Sequence, residues 1–372
     1  MASDVSGSPR SATGGRTTAP RVAGPGRRVT VRSRVGLALC VVLAAALAAT
    51  GVSACASSGA ESVSTAAIAS GTPVALATPA PAHELHGMLP YVWNESLIEK
   101  RPYRGMKRVG DVVQMRHAVW SYQRASSDSR LAGRVDIVIN VDQRQGDMSA
   151  ALWGTGRLRN AGGTWVERWT GGIAAGGDVH HVYGTYTGTG GYAGLVAHES
   201  GVFTEAGEGF TPDIQIVGAG WIETSDGSPV PPAPGPGTTP AGWTPVVGIA
   251  TMKQTAYDGP GPWVWNLEQS DPRLSGRVEG DIGEISRARS DGSADLLSSN
   301  TISNQDGSWD APSGPIQVHG PAPPSEHFLY WSSTGSGAFA GLTYHGFWYF
   351  PETHDLLPGD EFVWSGWIEE AK

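Results

Sequence analysis

Two histidines hold the same place in two repeated blocks: His198 lies three residues after Leu195, and His345 three after Leu342. An imidazole aimed into a cavity can bind a ligand or move a proton. The plainer alternative is an outward, hydrogen-bonded histidine kept by duplication. Arg130 and Arg134 recur as Arg273 and Arg277. Four apart on a strand, each pair shares a face, with Leu131 on the opposite face in the first copy. Guanidinium groups so placed suit an anionic ligand; the alternative is pairing with Asp128, Asp271 or other acids at the strand entry. His198, His345, Arg134 and Arg277 are therefore the ligand-binding candidates. Trp165, Trp221, Trp309 and Trp367 also recur and read as core. Trp263, Trp265 and Trp364 occur only in the second copy, where a sugar-stacking surface is the alternative to burial.

Other constellations carry less. His180 and His181 are adjacent, so on a strand their rings point to opposite faces. His83-Glu84-Leu85-His86 lacks the H-E-x-x-H spacing of zinc hydrolases. There is no G-x-S-x-G elbow and no phosphate-binding loop. Gly188-Thr-Gly-Gly-Tyr-Ala-Gly194 departs from the dinucleotide fingerprint, because its third glycine falls one residue late and the segment reads as strand. No catalytic residue, metal ligand or cofactor is assigned on these grounds.

The elements that must position these residues are strands. Val135, Ile137, Ile139 and Val141 alternate with Asp136, Asn140 and Asp142, the period of a half-buried strand. Val182–Thr187, Tyr192–Phe203 and Ile214–Ile222 read alike, with Gly or Asp/Asn clusters between them. Val278–Ile285 breaks its alternation near Gly280 or Gly283, the mark of a bulge. The chain repeats itself. Asp128–Val135 matches Asp271–Val278, Gly163–Trp165 matches Gly307–Trp309, Gly188–Leu195 matches Gly335–Leu342, and Gly220–Glu223 matches Gly366–Glu369. The recognisable copies run from about 105 to 224 and from 243 to 372. The fold expected is all-β: two tandem antiparallel barrels, or sandwiches, of seven to eight strands each, over 88–224 and 243–372. A barrel is preferred, because glycines such as those in Gly188–Gly194 suit a tightly curled sheet. Ser225–Gly242, rich in Pro and Gly, is an extended semi-rigid spacer.

The glycine pattern Gly188/Gly190/Tyr192/Gly194, repeated as Gly335/Gly337/Phe339/Gly341, resembles the glycine-rich strand of allene oxide cyclase and dirigent-type barrels. That resemblance implies an eight-stranded barrel with an apolar interior and supplies no catalytic residue. The repeated block is similar to one in uncharacterised exported proteins of high-GC Gram-positive bacteria.

Residues 1–54 read as an export signal. Arg10, Arg16, Arg21, Arg27, Arg28, Arg32 and Arg34 face a single acid, Asp4, and precede the uncharged apolar run Val35–Val52. Val52-Ser53-Ala54-Cys55 resembles the lipobox of bacterial lipoproteins, which implies cleavage before Cys55 and acylation of its thiol. An uncleaved span is the alternative. Leu39 is too large for the small-residue position before Cys40. Arg27-Arg28 allows twin-arginine export, although Val29-Thr30-Val31 fits that pattern poorly. Residues 55–87 are then the lipidated cysteine and a disordered tether, poor in large apolar residues.

The chain carries −9; residues 1–54 hold seven Arg against one Asp, +6, which leaves −15 for 55–372. That balance argues against nucleic acid as partner and leaves membrane attachment to the lipid. With Cys55 the only mature cysteine, disulfides and thiol chemistry are excluded from the exported part. The expectation is a membrane-anchored extracytoplasmic lipoprotein that binds a small apolar molecule or an envelope partner without catalysis. The alternatives are a cyclase- or isomerase-like barrel enzyme, which needs a histidine beside a buried acid in a pocket, and a purely structural envelope protein.

Overall fold

The computed structural model describes residues 84–101, 105–173, 180–203, 216–238, 242–254, 262–288, 294–318, 326–351 and 358–370. The proposed signal, Cys55 and most of the tether lie outside the described residues. The first unit contains β1 (Leu89–Lys100), β2 (Lys107–Val109), β3 (Val112–Ser126), β4 (Gly133–Arg144), β5 (Ala150–Asn160), β6 (Gly163–Ile173), β7 (His180–Gly190), β8 (Leu195–Phe203) and β9 (Ile216–Thr224). Neighbours pair in the order β1-β9-β8-β7-β6-β5-β4-β3, and β3 returns to β1, closing an eight-stranded antiparallel barrel; β2 is a short outer strand on β3.

The second unit contains β10 (Thr244–Gln254), β11 (Trp263–Gln269), β12 (Gly276–Ala288), β13 (Ala294–Ser303), β14 (Ser308–Val318), β15 (Glu326–Gly335), β16 (Leu342–Pro351) and β17 (Glu361–Glu370), again a closed barrel. Closure gives each wall strand two neighbours, with β14 and β15 joined at Trp309–Gly335 and Asp310–Thr334 and β2 ending its sheet. The break expected near Gly280 appears as a register shift between Ile282 and Ile285. The first repeat begins earlier than sequence matching shows. β1 is the counterpart of β10, and without it the barrel would stay open.

Gly188–Gly194 is not a strand interior. β7 ends at Gly190, and a tight turn leads to β8. Gly190 and Gly194 take φ +67° and +86°, where glycine is free of the Cβ clash. The turn folds Tyr192 onto Trp165, centroids 5.3 Å apart, and in the second copy Phe339 onto Trp309, 5.2 Å apart. Trp165 Nε1 donates to the Arg130 carbonyl and Trp309 Nε1 to the Arg273 carbonyl, each at 2.8 Å. The shared glycine pattern thus builds the aromatic floor of each barrel.

The Pro/Gly spacer is strapped to that floor of barrel one. Val230 joins its core cluster, Arg130 Nη1 donates to the Pro231 carbonyl at 2.6 Å, and Thr238 N donates to the Ser126 carbonyl at 2.6 Å. The two barrels meet through a small apolar cluster of Val92, Val202 and Ala219 with Phe347 and Trp367.

Candidate functional site

Strand parity decides which side chains enter a barrel. On β8, Leu195 and Ala197 belong to the core, so Glu199 also points inward and His198 outward. On β6, Trp165 and Trp169 flank Glu167 on the inner face. The same rule brings Tyr91, Trp93 and Glu95 in from β1, Tyr122 and Arg124 from β3, and Tyr186 from β7. Glu95, Arg124, Glu167 and Glu199 are all buried, at 2–5 % exposure.

Arg124 organises the cluster. Its Nη1 and Nη2 donate to the two oxygens of Glu199 at 2.6 and 2.9 Å, and its Nε donates to Glu95 at 2.7 Å. Bidentate, charge-assisted pairing of this kind is the strong form of the hydrogen bond. The Tyr91 and Tyr186 hydroxyls each stand 3.2 Å from Glu199. The guanidinium carbon lies 4.2 Å from the Trp93 ring centroid and 5.2 Å from that of Tyr186. The cation is thus satisfied on its edges and its faces.

Glu167 is different. Among the described residues no cationic group forms a salt bridge with it. Burial pushes its carboxyl well above the ordinary carboxylate range; Glu199 and Glu95 push the same way, against the pull of Arg124. Burial also raises Glu95, again opposed by Arg124. A carboxyl so placed holds its proton to higher pH than an ordinary glutamate and, while protonated, donates a hydrogen bond. Beside it lies a cavity of about 30 Å³, lined by Glu95, Glu167 and Glu199, by the rings of Trp93 and Trp169, and by Ile137, Val182 and Ile216 on an apolar side. That is room for one or two water-sized groups. Trp93 Nε1 and Trp169 Nε1 are buried without a hydrogen-bond partner among the described residues. The two indole N–H groups, with Glu167 as a third donor when it is protonated, suit the cavity to an oxygen acceptor.

The second barrel lacks this set. Ladder register aligns Glu95 and Arg124, which face each other across β1 and β3, with Ala250 and Leu267 across β10 and β11. Glu167 aligns with Ala311, and Glu199 with Gly346. Gly184, Gly201 and Gly218 of barrel one become Trp331, Trp348 and Trp364, while Trp93 becomes Gly248. Large and small residues have changed places. A Cβ at Gly201 or Gly218 would strike the Trp93 indole, and one at Gly346 would strike Trp331. Trp331 packs edge-on to Trp364 at 4.9 Å, and Trp265 edge-on to Trp348 at 6.2 Å. The indoles of Trp265, Trp331 and Trp364 also lack a hydrogen-bond partner among the described residues, and each packs against a neighbouring ring. Trp263, Trp265 and Trp364 therefore form no exposed sugar-stacking face: they are buried inside the barrel.

The residues singled out from sequence lie elsewhere. His198 and His345 are on the outer walls, one in each barrel. His198 stacks on Trp221 at 4.7 Å and bonds Glu223 at 3.2 Å and the Tyr183 hydroxyl at 3.2 Å. Burial lowers the His198 pKa, against the pull of Glu223. His345 stacks on Trp367 at 4.6 Å and bonds Glu369 at 3.1 Å, with Tyr330 and Ser332 on its other nitrogen. Ser332, His345 and Glu369 have the residue types of a hydrolytic triad. They sit on an outer strand surface whose backbone N–H groups pair in the β15–β16–β17 ladder. Trp221 is half-buried on the outer wall rather than core.

Arg134 is exposed and paired with Asp136 and Glu99, each at 3.0 Å; Arg277 is exposed and paired with Glu279 at 2.7 Å. Arg130 does not share their strand face. It sits in the 3-10 turn Ser129–Leu131 and grips Asp128 at 2.6 Å, as Arg273 grips Asp271 at 2.6 Å. The structure brings none of the four ligand-binding candidates to the cavity. Comparisons with protein-family models, curated proteins and solved structures found no match, so the reading of this site rests on its own geometry.

Proposed function

We propose that this is a lipid-anchored protein of the extracytoplasmic face of a membrane, in which barrel one binds a small, largely apolar molecule by an oxygen-bearing group. Barrel two is its packed, non-binding partner. One observation carries the reading: the small cavity and the buried Glu95/Arg124/Glu167/Glu199 cluster coincide, and both occur in the copy that has not been filled with tryptophan. A ligand oxygen would accept from Glu167 and the Trp93 and Trp169 indoles. Ile137, Val182 and Ile216 line the same cavity and would contact the one or two apolar atoms that enter beside that oxygen. Arg124 holds the remaining acids, so that the cost of burying them does not fall on the ligand.

The test is native mass spectrometry of the protein purified gently from its own host. An added mass that is lost on denaturation, and that Glu167→Ala abolishes, supports the proposal. A bare protein that also gains no stability from a library of small hydroxy- and keto-compounds sinks it. The raised Glu167 carboxyl favours a second reading, an acid-assisted cyclase- or isomerase-like reaction on the bound molecule. Recovery of a chemically altered ligand would select that reading over binding alone.

A further inference from the structure

The acidity of the mature chain belongs mainly to one barrel. Over 88–224 thirteen Lys or Arg stand against fourteen acids, a net charge of −1; over 243–372 six stand against seventeen, a net charge of −11. The difference is written on one wall of each barrel. In barrel one the outward side chains of β4, β5 and β6 include Arg134, Arg157, Arg159 and Arg168, all exposed. The ladder sets Arg134 opposite Arg159, Arg157 between Asp136 and Val166, and Arg168 opposite Thr155, diagonal to Arg157. Asp136 accepts from Arg134 at 3.0 Å and from Arg159 at 2.8 Å. Arg157 and Arg168 form no salt bridge among the described residues. Val166, 40 % exposed, and Trp153, 36 % exposed, share this wall and give it apolar contact area.

Barrel two carries the opposite sign on the same rows. Asp136, Arg157 and Val166 align with Glu279, Thr301 and Asp310, and Arg159 aligns with Ser303. Glu279 and Asp310 are exposed, as is Asp306 in the turn between β13 and β14. Glu279 pairs with Arg277 at 2.7 Å. Asp310 accepts from the Thr301 and Ser308 hydroxyls, each at 2.9 Å. Neither Asp306 nor Asp310 forms a salt bridge among the described residues. Both walls face away from the joint between the barrels, which is built by β1, β8 and β9 with β10, β16 and β17. In either direction round its ring of eight, β5 stands four strands from β9, and β13 four strands from β17. The molecule therefore has a basic end and an acidic end.

We infer that the chain associates head to tail with further copies of itself, the Arg157/Arg168 wall of barrel one in one copy seated on the Glu279/Asp310 wall of barrel two in the next. Complementary charge of this kind steers encounter and fixes register. An extended anionic partner would meet barrel one but be repelled by barrel two, whereas a second copy satisfies both walls. The occupant is supplied by the chain itself, because guanidinium groups without an acid and carboxylates without a cation stand on equivalent faces of its two halves. Contact between two different patches is heterologous, so association grows as a row unless the rotation closes a ring. The inference depends on neither the cavity nor the lipid anchor.

The test uses the chain from residue 55 with Cys55→Ser, so that neither an acyl chain nor a disulfide contributes. Sedimentation velocity is run over a range of protein concentrations, at low ionic strength and at about 1 M salt, where screening reaches about 3 Å. The expected result is a sedimentation coefficient that rises with concentration at low ionic strength and returns to the monomer value at high salt. Arg157→Gln with Arg168→Gln, and separately Asp306→Asn with Asp310→Asn, should each weaken association roughly tenfold or more. At a concentration where each variant alone is monomeric, an equal mixture of the two should form a pair and stop there, because each retains one working wall. Unchanged circular dichroism checks that these variants, all at exposed positions, are folded. A monomer under every condition, association that neither variant weakens, or a mixture that stays monomeric would overturn the inference. So would a monomer that binds dextran sulfate through Arg157 and Arg168, since the wall would then belong to an anionic polymer.

Discussion

Arg124→Leu is the sharpest perturbation of barrel one, because barrel two already carries Leu267 at the equivalent position. The substitution removes three charge-assisted hydrogen bonds, at 2.6, 2.9 and 2.7 Å, from carboxylates that are almost fully buried. Breaking a buried pair on one side costs about 3–5 kcal/mol, because the abandoned charge stays buried. For a barrel of this size that is a fall in Tm of about 10–20 °C. The loss should depend on pH. As pH falls, Glu95, already raised by burial and now freed from the pull of Arg124, takes up a proton, so the variant should recover part of its stability. Adding Glu95→Ala should also recover part of it, since Ala250 and Leu267 face each other in barrel two; the double variant should lose less than the two single losses summed. Calorimetry and urea unfolding at pH 5 and 8 measure all of this. A loss below about 1 kcal/mol at pH 8, or one independent of pH, would mean that the cluster is hydrated and the argument from burial is wrong.

Three further outcomes are expected. Glu95 and Glu167 have folded-state pKa values raised above the ordinary 4.5. The folded chain therefore holds protons that the unfolded chain has released, and stability falls as pH rises from about 4.5 through the folded values. Glu167→Gln should flatten that decline, leaving stability near pH 4.5 almost unchanged and raising it at pH 8, as read from urea midpoints. Arg130→Ala should cost about 3 kcal/mol, because Arg130 is buried on Asp128 and holds the Pro231 carbonyl, and should speed proteolysis of the spacer between the barrels. Arg273→Ala should cost about 1 kcal/mol or less, since the side chain of Arg273 is 36 % exposed; equal losses would contradict the strap. Arg134→Gln and Arg277→Gln should shift stability by less than about 0.5 kcal/mol and leave any co-purifying mass in place, whereas loss of that mass would move the site to the outer wall.

The duplicated all-β architecture was legible in the sequence because period-two alternation and repeated turns are local signals. The candidate site was less so, for two reasons. The first is parity. Trp165-Val-Glu167-Arg-Trp169 places Glu167 on the face of two core tryptophans, and Leu195-Val-Ala197-His198-Glu199 places Glu199, not His198, inside. Both follow from the strand period, but a charged residue is ordinarily read as outward, and Arg124, which pairs Glu199 from a distant strand, is not visible from either segment. The second is that matching two copies highlights what they share. The shared residues turned out to be floors, caps and wall ladders: Trp165 and Trp309, Asp128 with Arg130 and Asp271 with Arg273, His198 and His345. The cavity lies where the copies differ. Gly188–Gly194 misled for a different reason, since glycine marks a barrel corner and a tight turn equally well, and only the positive φ at Gly190 and Gly194 separates them.

The interface between the barrels bears on how that difference arose. Each strand there meets its own counterpart: β1 lies against β10, β9 against β17 and β8 against β16. The Ser365 hydroxyl reaches the carbonyl of Ala219, its equivalent, at 3.5 Å. Contacts between like positions are the signature of an isologous pair, the arrangement two identical single barrels would adopt as a dimer. Fusion through the Pro/Gly strap removes the constraint that both interiors be the same. A buried cluster of three acids and one base is costly to keep and, in a homodimer, would be kept twice. Once the copies are linked, one interior can be filled by Trp331, Trp348 and Trp364 against Gly248 and Gly346, beside the interface residues Phe347 and Trp367. The other can retain Arg124 and its acids. The exchange of glycine for tryptophan at the same ladder positions is what such a division of labour requires, because a tryptophan that enters one barrel needs a glycine opposite it on the facing strand.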